Sequence, residues 1–265
     1  MNHLVFKTFL SPLARPLYEA AAQAAAADLA ITATLVDRSS YREYMDGSAD
    51  VAFICSLPYV SLETDGPGSY VPIVAPILAG ARYEARPIYF SDVIVPAESP
   101  IQSFADLRGK RWAFNEQLSQ SGYGAVRHHL VATGNTTGYF KALVQTNSHA
   151  GSVESVVNGE TDAAAIDSHA LQLMLDENPT LRDRIRTVEV LGPSTVQPVV
   201  ASTRLSASTR RSITASLATL HRRPELQKTL CAARVERFVP IGDEAYQDIR
   251  EMVSAAHEAG FSEIR

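Results

Sequence analysis

The chain has 265 residues, 46% of them hydrophobic and 20% charged, with a formal net charge of -5 at pH 7. These values describe an ordinary globular protein, long enough for one large core or two smaller lobes, rather than a disordered or membrane chain. The acidic balance and the lack of a basic cluster argue against a nucleic-acid partner, and no apolar run approaches the about 20 residues that span a bilayer, so no transmembrane segment is expected.

Taken from the amino terminus, His3 to Phe9 reads as a strand. Ser11 offers an N-cap hydroxyl before Pro12, and an Ala-rich helix runs to about Ala27; its apolar stretch is broken by Gln23 and flanked by Glu19 and Asp28. Ile31, Ala33 and Leu35 alternate with Thr32 and Thr34. Ser39 or Ser40 caps a short helix ending at Gly47, and Asp50 to Cys55 is a short apolar strand. Pro72 to Leu78 and Pro87 to Val95 are β-branched runs bounded by Gly and Pro, hence strands. A short capped helix over Ser99 to Leu107 precedes the strand Arg111 to Phe114 and a helix from about Ser121 to Ala132. The strand Phe140 to Gln145, a helix from Ala150 to Asn158 and the strand Asp162 to Ile166 follow. Val188 to Leu191 and Val196 to Ala201 carry the chain back, and Ser206 to Ala259 shows helical patterns, with Arg210-Arg211 and Arg222-Arg223 as solvated faces. Strands alternating with helices predict α/β units with largely parallel sheets.

The loop Glu116 to Gly122 joins a strand to a helix, where unpaired N–H groups and the positive end of the helix dipole make an anion site. Ser119 and Ser121 add hydroxyls, Gln120 an amide, and Gly122 room for close approach. The same residues also serve as ordinary helix caps. His149 stands at another loop-to-helix junction, and Asp167, Ser168 and His169 lie at the carboxyl end of a strand, the edge where open α/β sheets bind ligands. A histidine at a helix start is equally an ordinary surface group.

The combination of SPIQSFADLRGKRWAF at 99–114, SxSGY at 119–123, His149 and SVESVVNGETDAAAIDS at 152–168, with DVAFICSLPYV at 50–60, resembles the phosphate-, phosphite- and phosphonate-binding proteins of ABC importers. The resemblance implies a two-lobed periplasmic-binding-protein-like α/β fold with the ligand in a cleft between the lobes. Lobe 1 would comprise 1–86 plus 198–265 and lobe 2 residues 91–190, with crossover strands near 87–95 and 188–201. It further implies that Ser119, Gln120 and Ser121 form the anion loop, with His149, Tyr41 and Tyr89 as further contacts. Tyr59 and Ser11 are weaker candidates. A small anion and an ABC permease would be the partners. Two departures stand out: Gln120 replaces a frequent Thr, and Gly192 to Gln197 lacks the carboxylate that would hold the ammonium of an aminoalkylphosphonate.

No cofactor fingerprint, P-loop, GxSxG or HExxH is present, so the expectation is a binding protein rather than an enzyme. Cys55 and Cys231 have no metal-like spacing and read as buried thiols, and His128-His129 diverge on their helix, so no metal is expected. An enzyme or a ligand sensor on the same fold is the alternative, since fold does not settle function. Met1 to Ala30 shows no secretory signal, so either one has been removed and the protein is extracytoplasmic, or the protein stays in the cytoplasm. With no Lys or Arg between Glu116 and Gly124, the ligand is expected to be held by neutral donors, with a protonated oxygen given to Asp167.

Overall fold

A computed structural model describes residues 2–37, 41–62 and 69–265. In chain order its elements are β1 (His3–Thr8), α1 (Arg15–Asp28), β2 (Thr32–Asp37), α2 (Arg42–Met45), β3 (Val51–Phe53), α3 (Ser56–Ser61) and β4 (Tyr70–Leu78). Then come β5 (Ile88–Pro96), β6 (Arg111–Phe114), α4 (Ala125–Ala132), β7 (Ala142–Gln145), α5 (His149–Val157), β8 (Ala163–Asp167), α6 (Ser168–Glu177) and β9 (Ile185–Thr195). The chain closes with β10 (Val199–Ser202), α7 (Ala207–Ala218), α8 (Gln227–Ala232), β11 (Val235–Pro240) and α9 (Gln247–Glu258). Short 3-10 turns link several of these.

The chain divides into two compact units, Met1–Ile88 with Thr195–Gln247, and Tyr89–Ser194 with Asp248–Arg265. The first is built on a six-stranded sheet of order β11-β4-β10-β3-β1-β2. β1 runs parallel to β2 and β3, while β10 and β11 are antiparallel to their neighbours. Ser11 caps a 3-10 turn at Pro12–Ala14, its Oγ accepting from the Leu13 N–H, and this turn feeds α1. α1 buries Ala21, Ala22 and Ala25, whose small side chains let the helix lie close to β1, β2 and α7. The expected caps Ser39 and Ser40 lie outside the described residues.

The second unit carries a five-stranded sheet of order β7-β6-β8-β5-β9. β6 is parallel to β7 and β8, and β5 is antiparallel to β8. Its core gathers Val93, Val95, Phe104, Trp112, Phe114, Tyr123, Leu130 and Phe140. Residues 248–265, expected with the first lobe, group instead with this unit. The cause is apolar: Phe261 and Ile264 enter the same core, the Ile264 N–H donates to Tyr123 Oη at 2.8 Å, and the Arg265 carbonyl accepts from the Tyr139 N–H at 3.1 Å.

Other departures from the sequence-based expectation have local causes. Only Phe104–Leu107 of the stretch Ser99 to Leu107 is helical, because Ser103 and Asp106 close a capping box that starts the turn late. The segment whose patterns read as helical, Ser206 to Ala259, also contains β11, whose register partners lie along β4. α6, capped by Asp167, is an element that sequence patterning does not predict. Cys231 is exposed, not buried, and neither cysteine is in a disulfide. Arg210 and Arg223 are not merely solvated: Arg210 donates to the carbonyls of Thr203 and Leu205, and Arg223 pairs with Asp28.

Candidate functional site in the second unit

β6, β7 and β8 are parallel, so the residues that follow them emerge at one edge of the sheet: Asn115 after β6, the turn to His149 after β7, and Asp167 at the end of β8. β5 enters at this edge from the opposite direction, with Ser91 in register with Asp167 and Tyr89 two residues earlier. The strands carry Ser119, Ser121, His149, Asp167, Ser168 and Tyr89 to a single edge. Of these, Tyr89, Ser119, Ser121, Asp167 and Ser168 are buried and His149 is half-buried.

The loop after β6 ends in a π-helical turn, Gln120–Gly124, that runs into α4. The Ser119 carbonyl accepts from the N–H groups of both Tyr123 and Gly124, at 3.1 and 2.9 Å, so the helix opens one residue wider than an α-turn. Such widenings recur at functional sites. Ser119 Oγ caps the turn by accepting from the Gly122 N–H at 3.0 Å, which leaves its own hydroxyl proton to donate. The helix supplies no carbonyl to the N–H of Ser121, the second residue of the turn. Ser91 Oγ donates to the Ser121 carbonyl and pins the loop to β5.

Ser121 Oγ lies 3.3 Å from His149 Nε2. His149 opens α5, whose cap is Ser148, accepting from the Gly151 N–H at 2.9 Å. Burial holds the His149 imidazole below its ordinary pKa, with the nearby Asp167 carboxylate opposing the shift in part. The ring is therefore neutral around pH 7. Its Nδ1 is enclosed and has no hydrogen-bond partner among the described residues, which favours the tautomer with the proton on Nε2. A proton on Nε2, donated towards Ser121 Oγ, leaves the serine hydroxyl to donate onward to an anion.

Asp167 also holds the fold together, because its Oδ1 accepts the N–H groups of His169 at 2.8 Å and Ala170 at 3.1 Å, capping α6. Ser168 Oγ accepts from the Phe90 N–H at 3.1 Å and extends the join between β8 and β5. His169 is half-buried beside it. Gln120 is directed away from an anion role for its side chain, since its amide nitrogen is 3.2 Å from Ser194 Oγ and 3.1 Å from Met252 Sδ. Gly122 is required by packing: a Cβ there would overlap Asn115 Oδ1 and stand 3.1 Å from Asn115 Cγ.

Tyr41, Tyr59 and Ser11 belong to the first unit, after the carboxyl ends of β2, β3 and β1. Tyr41 stacks on Phe9 with ring centroids 5.4 Å apart, and Tyr59 packs edge-on against Tyr246 at 5.1 Å while its hydroxyl donates to Asp243. Sequence reasoning did not single out Ser91 or Asn115. For Ser91 a signal exists, as a polar residue inside the apolar strand 88–95; Asn115 gives none, being an ordinary residue at a strand end. Among the described residues no three His, Cys, Asp or Glu side chains come together to hold a metal ion, and no helix is long and apolar enough to cross a membrane.

Comparison with solved structures shows the fold. The binding component of an ABC phosphonate transporter from Pseudomonas aeruginosa superposes with a TM-score of 0.82 at 16% identity, covering 98% of this chain and 89% of that one. A Prochlorococcus marinus protein solved in complex with methylphosphonate gives 0.82 at 15% identity, covering 97% and 99%. The periplasmic aliphatic sulphonate-binding protein of Escherichia coli gives 0.68 at 15%, covering 98% and 88%. The family model described as "ABC transporter, phosphonate, periplasmic substrate-binding protein" matches residues 26–246. The chain is thus a member of the phosphonate-type periplasmic substrate-binding proteins of ABC transporters.

Proposed function

We propose that this protein captures a small tetrahedral oxyanion, a phosphonate or a close relative of one, and delivers it unchanged to an ABC permease from an extracytoplasmic position. The observation that carries the ligand class is the pairing of Ser121 Oγ with a neutral His149 at 3.3 Å, beside the open amino end of the π-turn and α4. Hydroxyl, imidazole and backbone donors around a helix start suit an anion with several equivalent oxygens. Each charge-assisted bond in a dry site contributes about 1.5–3 kcal/mol, so a few suffice for roughly micromolar affinity after association costs. Family membership supports delivery to a permease.

Asp167 would set selectivity. A carboxylate near the anion accepts a proton from a P–OH group, which a sulfonate or sulfate lacks near neutral pH, and is left facing a like charge otherwise. Tyr41, Tyr59 and Ser11 are proposed as contributions of the first unit to the ligand, with Tyr89, Gly122, Ser168 and His169 from the second.

The test is calorimetry with methylphosphonate, phosphite, phosphate, sulfate and an alkanesulfonate, on wild type, Ser121→Ala and His149→Ala. Binding of at least one phosphorus oxyanion, weakened tenfold or more by both substitutions, is expected; affinity untouched by either would reject the site. Phosphorus-31 NMR of the bound and released ligand should show no new species, and conversion would reject a purely binding role.

A further inference from the structure

Asn115 stands directly after β6, and its carbonyl accepts from the Asn147 N–H at 2.9 Å, fixing its backbone between the anion loop and the turn that leads to His149. The residue is 8% exposed, and its side chain makes no hydrogen bond to any described residue. Oδ1 is fully enclosed and rests against the backbone of Gly122, in the space a Cβ would need. Buried polar atoms without partners are rare, and each calls for a reason, because an aliphatic side chain of similar size would fill the same space without the loss of hydration.

The orientation supplies one. With the amide oxygen against the Cα–H of Gly122, a weak but favourable contact, the two amide hydrogens are turned the other way. The nitrogen is not among the enclosed, partnerless atoms, so it is the end of the side chain that reaches accessible space. Asn115 itself follows β6 at the sheet edge to which Ser121 and His149 are also carried.

We propose that Asn115 is an anion-binding residue, its Nδ2 donating to an oxygen of the tetrahedral head group while Oδ1 is braced on Gly122. This rests on the oxyanion reading of the site and adds a donor that neither the serines nor the histidine supplies. An uncharged amide receives the anion without fixing its charge, so protonated and deprotonated forms of the head group both keep this bond.

The test is calorimetry of Asn115→Ala and Asn115→Asp with methylphosphonate, phosphate, sulfate and ethanesulfonate, with Ser121→Ala alongside and circular dichroism melts to establish folding. For whichever anion wild type binds, Asn115→Ala should weaken affinity by at least about tenfold, the effect of losing one hydrogen bond to a charged group. Asn115→Asp, of the same shape, should weaken it by at least about a hundredfold near neutral pH and regain part of the loss, relative to wild type, as acid protonates the carboxyl and restores an O–H donor. A residue that only props up Gly122 shows no such regain. Should either variant fail to fold, nitrogen-15 NMR of wild type decides, since the assigned Asn115 side-chain amide must shift on saturation with the bound anion. A smaller loss in Asn115→Ala, no acid regain in Asn115→Asp, or an unmoved amide resonance overturns the proposal. If Ser121→Ala weakens binding while the Asn115 tests fail, Asn115 alone is rejected; if wild type binds none of the four, the oxyanion reading falls with it.

Discussion

Replacing Gly122 by Ala sets two effects against each other. Inside a helix, Ala is favoured over Gly by about 0.5–1 kcal/mol. Here the added Cβ would overlap Asn115 Oδ1, stand 3.1 Å from Asn115 Cγ and lie 3.2 Å from Ser119 Oγ. Both neighbours are buried, Asn115 at 8% exposure and Ser119 at 2%, so neither swings into solvent without disturbing the loop. Overpacking of this kind costs about 1–3 kcal/mol. The overlap wins, and Gly122→Ala should lose about 1–2 kcal/mol net and also weaken oxyanion binding, because the displaced Ser119 no longer caps the turn. In an Asn115→Ala background the main obstruction is gone and only the 3.2 Å contact with Ser119 Oγ remains, so the same substitution should become neutral or stabilising by up to about 0.5–1 kcal/mol. Urea denaturation of the four proteins, followed by Trp112 fluorescence, closes the cycle with an expected coupling of about 2 kcal/mol. Equal destabilisation in both backgrounds would refute the steric account.

Three further outcomes are expected. Because burial holds His149 and His129 below their ordinary value of 6.5, the native protein takes up fewer protons than the unfolded chain as pH falls past that value. Stability should be full above it and decline as pH falls below it, with His149→Gln flattening part of the slope in pH-dependent melts; a flat wild-type profile would contradict this. Asp167→Asn should keep the α6 cap and change stability by under about 1 kcal/mol, whereas Asp167→Ala should lose about 1–2 kcal/mol, and calorimetry should find phosphorus-over-sulfur discrimination reduced in both. Trp112→Phe should cost little beside Trp112→Ala, for which about 3–5 kcal/mol is expected from the cavity left between Phe104 and Phe140, measured by urea denaturation followed by circular dichroism.

Much of the fold was legible because apolar periodicity and cap chemistry are local. β6 has the bounds its Arg-Trp-Ala-Phe run predicts, and Ser11 caps the turn ahead of Pro12. What was missed depends on distant partners. β11 has the mixed composition of a helix face and becomes a strand only by pairing with β4, which lies far earlier in the chain. Phe261 and Ile264 look like any apolar residues near a terminus, and only packing assigns them to the second core. At the candidate site, the position of the serine loop and of His149 at helix starts was readable. The rest was not. Gln120 reads as one more donor until Ser194 and Met252 are seen to occupy its amide, and Asn115 gains interest only once its side chain is found buried over Gly122.

The return of residues 248–265 to the second unit has a consequence for biogenesis. Domains commonly form in order as the chain leaves the ribosome, the earlier one first. Neither unit here can follow that rule: the first awaits 195–247, and the second, although its strands are contiguous from 89 to 194, lacks Phe261 and Ile264 until those residues have been made. The second core therefore stays incomplete until residues 261–264 have emerged, long after its strands have been made. A carboxyl-terminal truncation or a bulky tag placed directly after Arg265, whose carbonyl bonds Tyr139, would disturb the half of the molecule that holds the serine loop.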